Sequence, residues 1–196
     1  MDPCKKASAE FEVPLRIFAY FLGTARAIYV SAPITSGWRF LAWYKAKGRE
    51  LKDRATYEKA HATDVIVANS RHVSDTVAGL KRREHPTPVL DPTSFDFPGW
   101  SQQDYHCFWG KVIQRFVGRA IFLDGWEASA GCVYEFSVAT RAGIPTLDER
   151  DERISAVEAL SRIQRSADAM ADLGLDSDVF QTVIQYIRSL ADVTHS

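Results

Sequence analysis

The amino-acid sequence predicts an α/β fold, a parallel sheet of the Rossmann-like or flavodoxin-like type that is flanked by helices and followed by extra C-terminal helices. Three observations indicate this class. Short apolar runs alternate along the chain with longer segments of helical periodicity. The runs contain few polar residues, which is typical of strands buried on both faces of a sheet. Glycine or proline stands where most of these segments end.

The order of the elements follows from these runs. We expect strands at residues 27–31 (AIYVS), in a short segment within 88–92 (PVLDP), at 120–123 (AIFL) and at 144–147 (IPTL). We expect helices at 13–22, in a largely helical region 38–63, at 70–83, from Asp104 to near Gly118, at 130–142, at about 152–172 and at 177–191. The pattern predicts one domain, with a core at about 24–148 and a helical extension at about 150–193.

Composition limits the classes of function. A chain of 196 residues with 46% hydrophobic residues is large enough for one packed core. Its 24 Lys and Arg and 25 Asp and Glu give a net charge of -1, so no overall charge favours nucleic acid or a membrane surface. The basic run 81–85 (KRREH) is short, ends a predicted helix and is interpreted as a solvated face. Arg16, Gly23 and Arg26 interrupt the apolar stretch 13–31, which excludes a membrane span there.

The cysteines favour a reducing compartment. Cys4, Cys107 and Cys132 are odd in number and lack CxxC spacing, which argues against a disulfide framework and a thiolate zinc site. We therefore expect a soluble cytoplasmic protein with neither a metal nor a cofactor. Cys132, with no histidine near it in sequence, is interpreted as a small buried thiol.

The segment 123–135 (LDGWEASAGCVYE) is the strongest candidate site, because a strand there runs into a helix and ligands of parallel sheets bind at the carboxyl ends of strands. Glu135 lies about one turn into that helix. Ser129, Gly131 and the free N–H groups of the helix N-terminus favour an anion. In a plainer interpretation, Ser129 caps the helix, Gly131 permits close packing and Glu135 is solvated.

Two segments, IYVSAPITSG at 28–37 and FLDGWEASAGCVYEFSVATRAGIP at 122–145, resemble the nucleoside 2-deoxyribosyltransferase superfamily. The second follows the pattern GWxxSxGxxxE of one branch. The resemblance implies that Glu135 is a nucleophile and that Ser129 and Gly131 hold a phosphate on the sugar. It also implies that the end of the first strand and its loop contact the substrate through Tyr29, Ser31, Pro33 and Thr35.

Two neighbours of Glu135 are secondary candidates. Trp126 follows a strand directly and is a candidate pocket wall. Asp124 stands where relatives often have proline, and it either contacts a sugar hydroxyl or simply ends the strand. Tyr29 is one of the residues that the resemblance places in contact with substrate. It lies in an apolar run, however, so packing in the core is an alternative interpretation.

The sequence departs from the family pattern in two further places. Thr35 stands where monophosphate-specific relatives have arginine, with Arg39 a turn away as a substitute. Relatives also carry an aspartate on the helix before AIFL, where this chain has residues 109–111 (WGK). His106 or Asp104 replaces it in our interpretation; the alternatives are a partly buried histidine without chemistry and a helix cap.

The resemblance implies cleavage or transfer of an N-glycosidic bond on a nucleoside or nucleoside 5′-monophosphate. The alternatives are an NAD glycohydrolase-type activity, as in Toll/interleukin-1 receptor-like domains, and a non-catalytic nucleotide-binding or interaction module. Members of the family complete one another's active sites, so we expect a homodimer or larger assembly. No membrane or nucleic-acid partner is expected.

Overall fold

A computed structural model describes residues 8–193 of the chain. Its strands are β1 (Ala27–Ser31), β2 (Val89–Leu90), β3 (Val117–Phe122) and β4 (Thr146–Asp148). Its helices are α1 (Ser8–Leu22), α2 (Gly37–Ala46), α3 (Arg54–His61), α4 (Val67–Arg83), α5 (Gln102–Phe116), α6 (Ala130–Arg141), α7 (Ala156–Asp172) and α8 (Asp178–Val193). A π-helical turn, Ala62–Ile66, joins α3 to α4.

The four strands form one parallel sheet in the order β2-β1-β3-β4. After β2 the chain returns past β1 to form β3 on its other side. The connections from β1 and β3 therefore leave in opposite directions, and the crevice between their carboxyl ends is where such sheets bind ligands. The predicted α/β class, with a parallel sheet flanked by helices and extra C-terminal helices, is confirmed.

Alternation along the strands divides the core into two layers. Ile28 and Val30 of β1 pack with residues of α4 such as Val73 on one face. Tyr29 points to the opposite face, into the larger cluster formed with α1, α5, α6, α7 and α8. Strands covered on both faces exclude water throughout, which explains why the apolar runs contain almost no polar residue.

The predicted boundaries differ from the observed ones at several elements. The first helix begins at Ser8, before the predicted residue 13, and includes Pro14 in its second turn, where the missing N–H removes one hydrogen bond of the helix. β3 begins three residues before the predicted AIFL, at Val117, and ends at Phe122. β4 covers Thr146–Asp148 rather than 144–147. Arg153, predicted near the start of the next helix, instead makes an antiparallel bridge with Leu147, and α7 begins at Ala156.

One expectation about cysteine is wrong. Cys107 is disulfide-bonded, whereas Cys132 is a free, buried thiol; Cys4 lies outside the described residues. Count and spacing cannot reveal which thiols meet in space. The inference of a reducing compartment loses this support. Among residues 8–193, no helix is both long and apolar enough to cross a membrane.

Candidate functional site

Glu135 lies at the crevice between β1 and β3, and two hydroxyl groups of β1 hold its carboxylate. Tyr29 Oη donates a hydrogen bond of 2.8 Å to Oε1, and Ser31 Oγ donates one of 2.7 Å to Oε2. Each carboxylate oxygen thus has its own donor. Two separate anchors fix the rotation of the carboxylate as well as its position.

The period of the strand explains this arrangement. Tyr29 and Ser31 are two residues apart, so their side chains project from the same face of the sheet, toward α6. Both residues are completely buried, with 0% of their surface exposed. In this conformation both side chains hold Glu135, and their predicted contact with substrate stays a prediction.

Burial shifts the acid–base chemistry of the site. Removal from water raises the pKa of Glu135 to about 7, although the hydrogen bonds from Ser31 and Tyr29 oppose the rise. The pKa of Tyr29 is raised well above its usual value, first by burial and then by the Glu135 charge. Burial also raises the pKa of the Cys132 thiol to about 12. Cys132 is thus a protonated thiol at neutral pH, while Glu135 has access to both of its states.

Glu135 borders a cavity of about 440 Å³, which we call the main pocket. This volume is within the range of small-molecule sites. The pocket has apolar walls and a polar side. The apolar walls include Ile34, Phe40, Leu41, Trp109 and Met170, and the polar side chains include Thr35, Ser36, Thr93, Gln102, Tyr105, His106, Ser129 and Glu135. Four of the predicted residues, Thr35, His106, Ser129 and Gly131, are brought together here with Glu135.

The N-terminus of α6 opens into the main pocket without a side-chain cap. Ser129 occupies the N-cap position in an extended conformation, but its hydroxyl makes no capping hydrogen bond. Its carbonyl accepts the N–H of Val133 as the helix begins. The N–H groups of Ala130, Gly131 and Cys132, in the first turn, lack intrahelical acceptors, and all three residues line the main pocket. The plainer interpretation of Ser129 as a cap is wrong, and the first turn of α6 has donors available to a ligand.

Of the two candidates to replace the missing aspartate, His106 reaches the main pocket. Its Nε2 lies 3.0 Å from Gln102 Nε2, and its ring stacks on Tyr134 with centroids 5.2 Å apart. A Cβ placed on Gly131 would lie 3.5 Å from the same Nε2, so the ring borders the first turn of α6. Burial lowers the pKa of His106, which favours the neutral imidazole.

Asp104 and Trp126 are placed away from the main pocket. The Asp104 carboxylate accepts hydrogen bonds from Ser101 N and Oγ in a capping box at the start of α5. Its position three residues after a serine N-cap explains this role. Trp126 is fully buried and stacks on Phe136, with centroids 4.7 Å apart. The prediction that Trp126 forms a pocket wall is wrong; Trp109 does so instead.

Asp124 and Pro33 border a neighbouring cleft of about 450 Å³ and not the main pocket. Arg39 faces that cleft too, where its Nε donates to Asn69 Oδ1 at 2.9 Å. The structure thus does not bring the substitute arginine to the Glu135 carboxylate. Among the described residues that line the main pocket, there is no lysine or arginine.

Sequence reasoning missed the residues that shape the loop after β1. Asn69 Nδ2 donates to the carbonyls of Ile34, at 2.9 Å, and Ser36, at 3.2 Å. His61 Nε2 lies 2.9 Å from the carbonyl of Thr35. These polar residues stand on α3 and α4 without a local motif. Only their tertiary neighbours reveal what they do.

The C-terminal extension also contributes to the site. Met170 of α7 forms part of the wall of the main pocket. Arg162, on the same helix, makes an ion pair of 3.2 Å with the buried carboxylate of Glu127, whose other oxygen accepts Trp38 Nε1 at 2.9 Å. Glu127 precedes Ser129 by two residues. The extension is therefore attached directly to the turn that leads into α6.

The fold and site together define an α/β protein with a half-buried, hydroxyl-bound carboxylate at the switch point of a parallel sheet. In the part of the chain that is described, no cluster of three or more His, Cys, Asp or Glu residues is arranged to hold a metal ion. The chain matches no protein-family model, and neither a curated protein nor a solved structure is significantly similar to it.

Proposed function

We propose that this protein cleaves or transfers the N-glycosidic bond of a nucleoside-type ligand in the main pocket, with Glu135 as nucleophile. The observation that carries the proposal is the carboxylate itself. It is held by Tyr29 and Ser31 at the border of a cavity of suitable size, at the sheet edge where ligands bind. A solvated helix glutamate would have neither donor.

The reaction follows from this geometry. A carboxylate oxygen of Glu135 attacks the anomeric carbon of the sugar, and the bond from that carbon to the base nitrogen breaks. The bonding electrons leave with the base, which takes a proton from water or from the minor protonated form of His106. Water or a second base then attacks the glycosyl ester and releases Glu135 as a carboxylate.

The charge of the main pocket favours a neutral nucleoside over its 5′-monophosphate. A phosphate would share the cavity with the Glu135 carboxylate, and none of the described lining residues is a lysine or an arginine. The N–H groups of the first turn of α6 would be its main donors. A sugar hydroxyl needs only the hydrogen-bonding side chains that are present, such as Thr35 and Ser129.

The test is release of free base from a panel of nucleosides, their 5′-monophosphates and NAD, with wild-type protein and with Glu135→Gln. We expect Glu135→Gln to lower turnover at least about a thousandfold, the scale seen when a covalent nucleophile is removed. Glu12→Gln, a change of an exposed glutamate on α1, serves as the control and should keep full activity. Base release by Glu135→Gln at the wild-type rate would show that Glu135 is not the nucleophile.

A binding module without catalysis is the second candidate. It is favoured by the position of Asp104 in a capping box, because the main pocket then has Glu135 as its one carboxylate among the described lining residues. Saturable nucleoside binding by calorimetry without base release would support it. Nicotinamide release in the same panel would support cleavage of NAD instead.

We also propose that the chain forms a homodimer or larger assembly in the cytoplasm. The described part of α1 supports association, because Val13, Ile17, Tyr20 and Phe21 are 51–83% exposed. Apolar side chains grouped on one helix face are typical of a protein contact surface.

A further inference from the structure

A second cavity lies behind His106, between α5, α6 and α8. Its volume is about 220 Å³, and we call it the α8 cavity. Its walls are formed by Gln103, His106, Tyr134, Ser137, Arg141, Val179, Thr182, Val183 and Tyr186. His106 borders both this cavity and the main pocket, so its ring stands between the two.

The two cavities have opposite charge. The main pocket contains the Glu135 carboxylate and, among its described lining residues, no lysine or arginine. The α8 cavity is lined by Arg141, whose side chain is also exposed to solvent, and, among its described lining residues, by no aspartate or glutamate. An anion in the α8 cavity would therefore meet a cation and no adjacent carboxylate in the wall.

Arg141 has donors available for such an anion. Its guanidinium carbon lies 4.6 Å from the centroid of the Tyr186 ring, which orients the group at the cavity. No hydrogen bond or ion pair joins the guanidinium to another residue of 8–193. The planar fork of an arginine matches two oxygens of a phosphate at once.

Several other polar side chains of the cavity have their hydrogen-bonding groups in use, so Arg141 is the main donor for an anion. The hydroxyls of Ser137 and Thr182 donate to the carbonyls of Tyr134 and Asp178, so their hydrogens are already used. Gln103 Nε2 contacts Cys107 Sγ at 3.4 Å and keeps a second amide hydrogen. At about 30 Å³ per water molecule, the cavity has room for roughly seven waters, enough for a phosphate group with part of its hydration.

We propose that the α8 cavity binds a phosphate group through Arg141, next to His106. This site is separate from the nucleoside site in the main pocket and does not depend on the proposed reaction. Its occupancy places negative charge in a cavity that His106 also lines, and so favours the protonated ring.

The test uses the full chain and needs no enzyme activity. Inorganic phosphate and, in a second series, ribose 5-phosphate are titrated at constant ionic strength while the ring signals of His106 are followed by NMR, with sodium chloride as the matched salt. We expect saturable shifts of the His106 signals that chloride does not produce. Tighter binding of ribose 5-phosphate would identify a sugar phosphate as the source of the group, and tighter binding of inorganic phosphate would identify the free ion.

Three variants locate the site. Arg141→Gln should weaken phosphate binding at least tenfold, whereas Arg165→Gln, a change of an exposed arginine on α7, should leave it unchanged. Arg141→Lys retains the charge without the fork and should bind with intermediate affinity. The proposal is overturned if neither ligand gives a saturable shift, or if the shift persists unchanged in Arg141→Gln.

Discussion

At the scale of single residues, Glu135 combines an unfavourable burial with favourable hydrogen bonds. Its loss of contact with water disfavours the charged form, and the hydroxyls of Tyr29 and Ser31 stabilise that form only in part. The net result is a pKa of about 7, close to the pH at which the group would act. A carboxylate whose pKa is shifted in this way is more typical of functional sites than of structural ones.

This pKa predicts how stability depends on pH. The folded protein holds a proton on Glu135 up to about pH 7, whereas the unfolded chain loses it near its ordinary value of 4.5. The folded pKa is raised, so the contribution of Glu135 to stability is fully present below pH 4.5 and is lost as pH rises to about 7. Between pH 5 and 8 we expect wild type to lose about 2 kcal/mol relative to Glu135→Gln.

Urea denaturation of both proteins at several pH values measures this difference. Subtracting one curve from the other removes the contributions of the remaining ionisable groups. Glu12→Gln should follow the wild-type pH profile throughout. A constant difference between wild type and Glu135→Gln from pH 5 to 8 would contradict a raised pKa.

At the scale of elements, the buried pair Glu127–Arg162 joins three segments. Glu127 belongs to the turn before α6, Arg162 to α7, and Trp38, which donates to the same carboxylate, to α2. The side chains of Glu127 and Arg162 are 8% and 19% exposed. The pair therefore fixes the position of the C-terminal helices relative to the site.

Removing one partner of this pair should be costly. We expect Arg162→Met to lower the free energy of unfolding by about 3 kcal/mol, because it leaves the buried Glu127 carboxylate without its cation. Urea denaturation gives the value. Arg165→Met, an exposed change on the same helix, should alter stability by less than about 0.5 kcal/mol.

A double-mutant cycle separates pairing from packing. In the double variant Glu127→Gln, Arg162→Met no unpaired charge remains, while the amide oxygen can still accept Trp38 Nε1. We expect it to be more stable than Arg162→Met alone. Additive losses from the two substitutions would show that the ion pair does not couple α7 to the turn.

At the scale of the whole molecule, α1 is apolar on opposite faces. Phe11, Leu15, Phe18 and Leu22 pack inward onto the large core cluster. Tyr20 and Phe21, by contrast, are 83% and 79% exposed. Grouped apolar side chains that face solvent are typical of a contact surface, which supports a subunit contact on the outer face.

Association should therefore depend on the outer face of α1. We expect Tyr20→Glu to shift the protein toward the monomer in sedimentation equilibrium, because a buried unpaired charge opposes association. Val157→Glu, which changes another residue that is 74% exposed, on α7, serves as the control. A wild-type protein that remains monomeric at high concentration would exclude the assembly.

The local sequence was sufficient for much of the fold. β1 has its predicted bounds, Ala27–Ser31. Five adjacent apolar or small residues before a turn indicate a buried strand. The start of β3 was missed, since Arg119 within it carries a charge that the strand pattern excludes. Arg119 is accommodated by an ion pair with Glu84, a contact between residues remote in sequence.

The candidate site was predicted in part. Glu135, Ser129, Gly131, His106 and Thr35 border one cavity, as expected from strand and helix order. Trp126 was misplaced, because the left-handed turn at Gly125, with φ +82°, starts a short 3-10 helix whose first side chain packs into the core. No rule of spacing shows in which direction such a turn sends its side chains.

The sequence by itself determined the order of strands and helices, the carboxyl edge at which a site would lie, and the presence of Glu135 there. These properties depend on period and local propensity, which act within a few residues. The tertiary structure alone decided that Tyr29 and Ser31 hold the carboxylate, that Met170 and Phe40 form walls of the pocket, and that Arg141 lies behind His106. Such contacts join residues more than thirty positions apart, and only packing of the whole chain brings them together.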